Sequence, residues 1–242
     1  MISNIHHPHH PHQSHHPMSI IDIPTEQTTA ATDILLSLIG LVVSVMVFQA
    51  GKSRDLKKAR IWTGAFALLS VASIFGAAAH GFSMSERMNF ILWQPINLSL
   101  GLTVALFAAG VVYDLTGSAF PRWIIPVFIS AGILFYLITI LIPGTFAVFI
   151  LYEAAALLFA LGAYFILSIR HKNRGYGLMT AGILISILAS VIQSLNSVHV
   201  TIIWEFDHNG IFHLLQMIGL IFLLLGLRKG FLTQSIKGGR IV

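Results

Sequence analysis

Cysteine is absent from this chain of 242 residues, and charged residues make up only 10% of it. The first absence excludes disulfides, thiolate catalysis and metal sites built on cysteine. Soluble domains carry roughly 25% charged residues, whereas here 56% of the residues are hydrophobic. These gather in uncharged runs of roughly twenty, the length that crosses about 30 Å of hydrocarbon. The sequence therefore predicts an integral membrane protein.

Seven such runs predict an all-α bundle of seven transmembrane helices. They are Thr32–Ala50, Ile61–Phe82, Asn89–Tyr113, Pro121–Ile142, Phe146–Ile169, Tyr176–Ser197 and Asn209–Leu227. Because the connections are short, we expect consecutive helices to be antiparallel neighbours. We expect residues 23–230 to form the membrane domain. A disordered His/Pro-rich tail over residues 1–22 would precede it, and a cytoplasmic tail over residues 231–242 would follow.

Lysine and arginine are missing from residues 1–50 and are concentrated on one side of the predicted bundle. Thirteen of the fourteen fall in alternate connections and in the C-terminal segment, and Arg87 alone falls on the other side. By the positive-inside rule, this predicts an outside N-terminus and a cytoplasmic C-terminus. Membrane topology thus explains the net charge of +5. We expect a multi-pass protein of the cell membrane, in contact with lipids and with no nucleic-acid partner.

Polar side chains recur in the outer half of six of the seven predicted helices. Polar groups in hydrocarbon are costly and usually face the bundle interior or a watery cavity. Asn209, His213 and Gln216 have i, i+4 and i+7 spacing, which places them on one stripe. We expect a polar chamber in the outer half, and the residues that would line it are Asp33, His80, Gln94, Asn97, Glu153, Gln193, His208, Asn209, His213 and Gln216.

His80, His208 and His213 are the candidate metal ligands. Three neutral imidazoles and a water form the open tetrahedral arrangement of catalytic zinc. Glu153 or Asp207 would then be the general base or would orient a ligand histidine. The alternative is that these histidines hydrogen-bond helix ends, loops and water at the membrane interface.

Two further features have a structural and a functional interpretation. The amides of Gln94, Asn97, Gln193 and Asn196 would either contact a ligand or form the interhelical hydrogen bonds common in membrane bundles, and we favour the second. Seven histidines lie among residues 6–16, separated by prolines that prevent a helix. They would capture metal weakly or form a variable tail, and again we favour the second.

Two stretches carry a resemblance to an uncharacterised family of bacterial seven-helix membrane proteins. T-T-A-A-T-D, at Thr28–Asp33, resembles the family's entry to its first helix, T-T-x-x-T-D. H-N-G-I-F-H-L-L-Q-M, at His208–Met217, resembles the entry to its last helix, H-N-x-x-(F/Y)-H-x-x-Q-M. The resemblance spans the chain from about Ile23 to Arg228. It implies a bacterial inner-membrane location and no known activity.

More distantly, the layout is similar to seven-helix intramembrane hydrolases that include the alkaline ceramidases and the adiponectin-receptor-like proteins. Those bind zinc with one histidine ending helix 2 and two opening helix 7, the places of His80, His208 and His213. This chain departs from them in three ways. It has H-x4-H in place of H-x3-H, Gly76 in place of a serine, and no aspartate in helix 3.

Two functional hypotheses follow. The first is a zinc-dependent intramembrane hydrolase that cleaves a lipid amide or ester from the outer leaflet. The second is a non-enzymatic membrane protein: a sensor, a ligand-binding protein or a proton-coupled carrier that uses Glu153 and the amides. A carrier is expected to have broken helices near the midplane, often in repeated halves, and neither is evident in the sequence.

Overall fold

The computed structural model describes residues 18–142, 146–171, 173–195 and 197–238, with positions 118, 146, 147 and 233–238 described by their backbone only. It contains seven long helices: α1 Pro24–Gly51, α2 Leu56–Gly81, α3 Glu86–Thr116, α4 Ile124–Leu141, α5 Phe146–His171, α6 Arg174–Ser194 and α7 His208–Gly238. Each is long and apolar enough to cross a membrane. The predicted all-α, seven-helix fold is confirmed, and the chain is a polytopic membrane protein.

Several helix ends differ from the prediction. α1 begins at Pro24 rather than Thr32, and Pro24 sits in the first helical turn, where a missing N–H is tolerated. α7 continues to Gly238, whereas α6 ends at Ser194 rather than Ser197. For α1 and α7, which are longer than predicted, the physical reason is that hydropathy marks only the part of a helix in contact with lipid. Polar residues extend the helix beyond it, because water or packed neighbours satisfy their side chains.

Six of the helices form a closed ring, and α4 lies outside it. Packing contacts join α1 to α2, α2 to α3, α3 to α5, α5 to α6, α6 to α7, and α7 back to α1. α4 packs mainly against α3 and leaves most of its apolar surface exposed. Helices that are consecutive in the sequence are thus neighbours in the ring, except that α3 packs directly against α5 because α4 lies outside.

The α6–α7 contact depends on small residues. A Cβ atom added at Gly182 would lie 3.0 Å from the carbonyl oxygen of Gly219. One added at Gly219 would lie 2.9 Å from Ser186 Oγ. Small residues let two helix backbones approach closely in a membrane, where van der Waals packing contributes much of the association. Because of this approach, the polar face at the start of α7 lies beside the end of α6.

Two short two-stranded sheets lie at the outer end of the bundle, the end predicted to face away from the cytoplasm, and only the second of them is a hairpin. β1 Ser19–Ile20 pairs with β2 Phe82–Ser83, and β3 His199–Thr201 pairs with β4 Glu205–Asp207, both antiparallel. Part of the tail that the sequence predicts to be disordered, residues 18–22, therefore contains a paired strand. Its histidine run falls in residues 1–17, outside the described residues, as do residues 239–242 of the predicted cytoplasmic tail.

Large buried side chains fill the inner half of the ring. Trp62 on α2, Tyr164 on α5 and Phe231 on α7 are fully buried and belong to one hydrophobic cluster. Close packing of this kind leaves little free volume. The cavity of the molecule borders the outer side of this cluster, which contributes Phe66, Leu157 and Leu220 to its lining.

Candidate functional site

A cavity of about 610 Å³ lies inside the six-helix ring. This volume is within the range of about 300–1,000 Å³ that is typical of small-molecule sites. Its wall is mostly apolar, with side chains such as Phe66, Phe107 and Leu220. All six ring helices contribute to the described lining, and α4 does not. The polar lining residues are Asp33, Ser73, His80, Thr103, Glu153, Ser186, Gln193, Ser194, His208, Asn209, His213 and Gln216.

His213 joins α7 to α1 at this cavity. Its Nδ1 lies 3.0 Å from Thr32 Oγ1, and its Nε2 lies 3.4 Å from Asp33 Oδ1. All three residues are buried. The Thr32 hydroxyl also lies 2.9 Å from the carbonyl oxygen of Thr29, to which it donates its single proton. It therefore accepts from His213 Nδ1–H, which leaves Nε2 as the ring atom that faces Asp33.

The same two segments also meet one turn closer to the outer surface. Thr29 Oγ1 donates to Asp207 Oδ1 over 2.9 Å, and Thr28 Oγ1 lies 2.5 Å from the carbonyl oxygen of Glu205. The T-T-A-A-T-D segment and the stretch from β4 to the first turns of α7, which are far apart in the sequence, thus form one continuous contact surface. The two stretches that carry the family resemblance bind each other.

Asp207 caps α7. Its Oδ1 accepts the backbone N–H of Gly210 over 2.8 Å as well as the Thr29 hydroxyl. Caps of this kind satisfy backbone donors that the first helical turn leaves free. Asp207 is buried but is not among the residues that line the cavity. Its two hydrogen bonds give this buried carboxylate a structural role, whereas the catalytic role predicted from the sequence stays a prediction.

The carboxyl group of Asp33 occupies the space above Gly76 on α2. A Cβ atom added at Gly76 would lie 2.8 Å from Asp33 Oδ2 and 3.1 Å from Oδ1. A side chain at position 76 and the carboxyl group of Asp33 therefore compete for one volume. This contact explains locally why glycine stands at position 76.

Glu153 and the two glutamines form the opposite wall. Ser190 Oγ lies 2.9 Å from Glu153 Oε2, and Gln193 Nε2 donates to Asn209 Oδ1 over 3.3 Å. Among the described residues, five buried side-chain polar atoms have no hydrogen-bond partner, and four of them belong to cavity-lining residues. Those four are Ser186 Oγ, Gln193 Oε1, His208 Nδ1 and Gln216 Oε1.

His80 lies at the outer edge of the cavity. Its Nδ1 is 2.7 Å from Glu26 Oε2 on α1, and its ring stands edge-on to Trp93, with the ring centres 6.1 Å apart. His80 and Trp93 also line a smaller cavity of about 370 Å³. Glu26 and Asn89 contribute to that cavity but not to the larger one. His80 and Trp93 therefore separate the chamber from a second, outer space.

All three candidate ligand histidines line the same cavity. His208 is the first residue of α7 and directly follows the Asp207 cap. However, the His80 ring contacts Glu26, and both ring nitrogens of His213 contact side chains of α1, namely Thr32 and Asp33. Within the described ranges, no group of three histidine or acidic side chains is arranged to hold a metal ion. The residues do not fit zinc in this arrangement, and no catalytic step through zinc follows from it.

Two predicted lining residues of α3 do not line the cavity. Gln94 Nε2 instead donates to the carbonyl oxygen of Phe90 in its own helix, over 2.9 Å. Asn97 is half-buried and does not line the cavity either. Trp93 and Ile96 face the chamber in their place. Each predicted residue is one position away from a lining residue, and one position rotates a side chain by about 100°.

A buried ion pair in the inner half was missed by the sequence analysis. Lys58 Nζ of α2 lies 2.5 Å from Asp114 Oδ1 of α3, and both side chains are at least 95% buried. Tyr164 of α5 donates its hydroxyl to Asp114 Oδ2 over 2.6 Å. Lys58 is one of the thirteen basic residues whose positions predict the membrane topology, and nothing in that pattern predicts its burial. The one feature of the sequence that points to this ion pair is Asp114, an acidic residue near the end of α3.

Comparison with known proteins adds one assignment. A profile described as a family of unknown function (DUF6962) matches residues 28–231. The chain belongs to this family. The matched region starts at Thr28 and contains both segments of the α1–α7 contact surface. No curated protein and no solved structure matches the chain. The predicted distant likeness to alkaline ceramidases and adiponectin-receptor-like proteins gains no support from these comparisons.

Proposed function

We propose that this protein binds a single-chain amphiphile inside the six-helix ring. The observation that carries the proposal is the cavity of about 610 Å³, whose wall is apolar but which holds a concentration of polar side chains in its outer half. An apolar chain would fill the deeper part, beside Phe66, Phe107 and Leu220. A polar head group would then lie among the carboxyl, amide and imidazole groups.

The helices support binding rather than transport. Many carriers have helices that are interrupted near the membrane midplane at the substrate site. Here each of the seven spans is a continuous helix over its described range. Tightly packed side chains fill the inner half below the cavity. A ligand would therefore enter and leave on the outer side, as in a receptor, sensor or storage protein.

The zinc-dependent hydrolase is the second candidate. Its support is that His80, His208 and His213 line one cavity together with Glu153. It requires His80 to leave Glu26 and His213 to leave Thr32 or Asp33, so that three imidazoles converge. Binding of an amphiphile is common to both candidates, and only the second one requires a metal.

The binding proposal is tested with protein in nanodiscs and tritiated dodecanol or dodecylamine as probes. Ala156 lines the cavity, whereas its neighbour Ala155 is exposed on the outside of α5. We expect saturable binding above that of empty nanodiscs. Compared with the unaltered protein, the affinity should be at least about tenfold weaker in Ala156→Phe and unchanged in Ala155→Phe. The proposal is wrong if neither probe binds, or if the two variants behave alike.

A further inference from the structure

The charge of the cavity wall selects among head groups. Asp33 and Glu153 line the cavity, and no lysine or arginine is among its described lining residues. A phosphate or carboxylate head group would therefore meet two acidic side chains and no strong cationic partner. Arg and Lys are the usual partners of such anions in proteins. This composition favours a head group that is cationic or a hydrogen-bond donor.

The hydrogen bonds of the cavity wall also favour a head group that donates hydrogen bonds. Gln193 is 8% exposed, and its Nε2 is directed to Asn209 Oδ1, so the free atom of its amide is the acceptor Oε1. Gln216 Oε1 is likewise a buried acceptor without a partner. A buried acceptor that lacks a donor is costly. The ligand therefore has to supply donors at this wall.

Glu153 presents one free oxygen to the cavity. Its Oε2 is held by Ser190, and within the described residues its Oε1 has no hydrogen bond. An uncompensated carboxylate inside a bundle is unfavourable, and an opposite charge at hydrogen-bond distance relieves that cost. The wall formed by α5, α6 and α7 thus combines one acid with two unpartnered amide oxygens.

We infer that the head group bound in the chamber is a primary ammonium, so that the ligand is a single-chain amine without phosphate. This inference rests on the proposed function. An ammonium supplies three donors from one atom and a positive charge, which suits Glu153 Oε1, Gln193 Oε1 and Gln216 Oε1. An uncharged alcohol supplies one donor and no charge.

The test is competition against tritiated dodecylamine in nanodiscs of zwitterionic lipid at neutral pH, where alkylamines are protonated. The competitors share one chain: dodecylamine, dodecanol, dodecanoate and dodecyl phosphate. We expect the amine to compete at least about tenfold better than the alcohol, and both anions to be the weakest. Equal or better competition by the alcohol or by either anion overturns the inference while leaving the proposed function standing. If no dodecyl compound binds, both fall.

A pair of variants tests the role of the charge. Glu153→Gln keeps the shape of the side chain, and Glu86→Gln makes the same change at an exposed site at the start of α3. We expect Glu153→Gln to weaken the binding of dodecylamine about tenfold more than it weakens the binding of dodecanol. We expect Glu86→Gln to leave the binding of both ligands unchanged. An equal effect of Glu153→Gln on both ligands overturns the assignment of Glu153. The competition series with unaltered protein does not depend on the folding of either variant.

Discussion

His213 Nδ1 lies 3.0 Å from Thr32 Oγ1, a contact that joins residues 181 positions apart in the chain. Around it, Thr28, Thr29 and Asp33 of α1 meet Glu205, Asp207 and His213 at the other end of the sequence. The first helix and the last are therefore closed onto each other through polar contacts at the outer end. This closure completes the ring that encloses the cavity.

Thr32→Val tests that contact. The substitution keeps the shape of the side chain and removes its hydroxyl, so His213 Nδ1 loses its partner. We expect a loss of about 1 kcal/mol in unfolding free energy, since interhelical hydrogen bonds in membranes are typically worth about 0.6 and at most about 1.7 kcal/mol. Thr139→Val is the control, because the Thr139 hydroxyl bonds only the backbone of its own helix. Equal stability of the two variants in detergent denaturation would contradict the assignment.

Gly76→Ala tests the packing of Asp33 against α2. The new methyl group would lie 2.8 Å from Asp33 Oδ2, and overpacking of this kind costs about 1–3 kcal/mol. Gly162→Ala is the matched control, because a Cβ at Gly162 meets no atom within 4 Å. Thermal unfolding should show a large loss for the first variant and little for the second. Adding Asp33→Ala should remove part of the loss, and strictly additive effects would show that the two sites do not interact.

Lys58→Met tests the buried ion pair of the inner half. It leaves Asp114 without its cation, and breaking a buried pair in this way costs about 3–5 kcal/mol. Lys52→Met removes the same charge at an exposed site in the connection before α2 and should cost little. Combining Lys58→Met with Asp114→Asn should recover much of the stability measured by denaturation. No difference between the two lysine variants would contradict the burial of Lys58.

Metal analysis separates the two candidate functions. The protein is prepared from Met18 onward, so that the histidine run of residues 6–16 contributes no metal. Because His80 and His213 contact side chains of α1, we expect less than one zinc per chain after purification. Stoichiometric zinc that disappears in His213→Ala but persists in His199→Ala, a histidine outside the cavity, would instead support the hydrolase.

The cysteine-free chain offers a direct test of orientation. Ile202 is exposed at the tip of the hairpin formed by β3 and β4, and Lys52 is exposed in the connection between α1 and α2. If the N-terminal side faces outward, an impermeant maleimide should label Ile202→Cys in intact cells. It should label Lys52→Cys only after permeabilisation. The reverse pattern would overturn the charge-based orientation.

Hydropathy determined the number of spans because the requirement to cross about 30 Å of hydrocarbon is local and additive along the chain. It also predicted the depth of the polar residues in the membrane, because each residue along a helix advances about 1.5 Å along its axis. Asp33, Glu153, His208 and Gln216, which the sequence places in the outer half, line one cavity.

Which way each side chain faces was decided only by the tertiary structure. Trp93 rather than Gln94 reaches the cavity because packing against α2, α4 and α5 sets the rotation of α3. Asp207 became a helix cap, and Lys58 a buried partner of Asp114, through contacts with residues distant in sequence. A span can be recognised from its own composition. The rotation of a helix and the partner of a charge depend on free energies shared with other helices, so no single segment contains them.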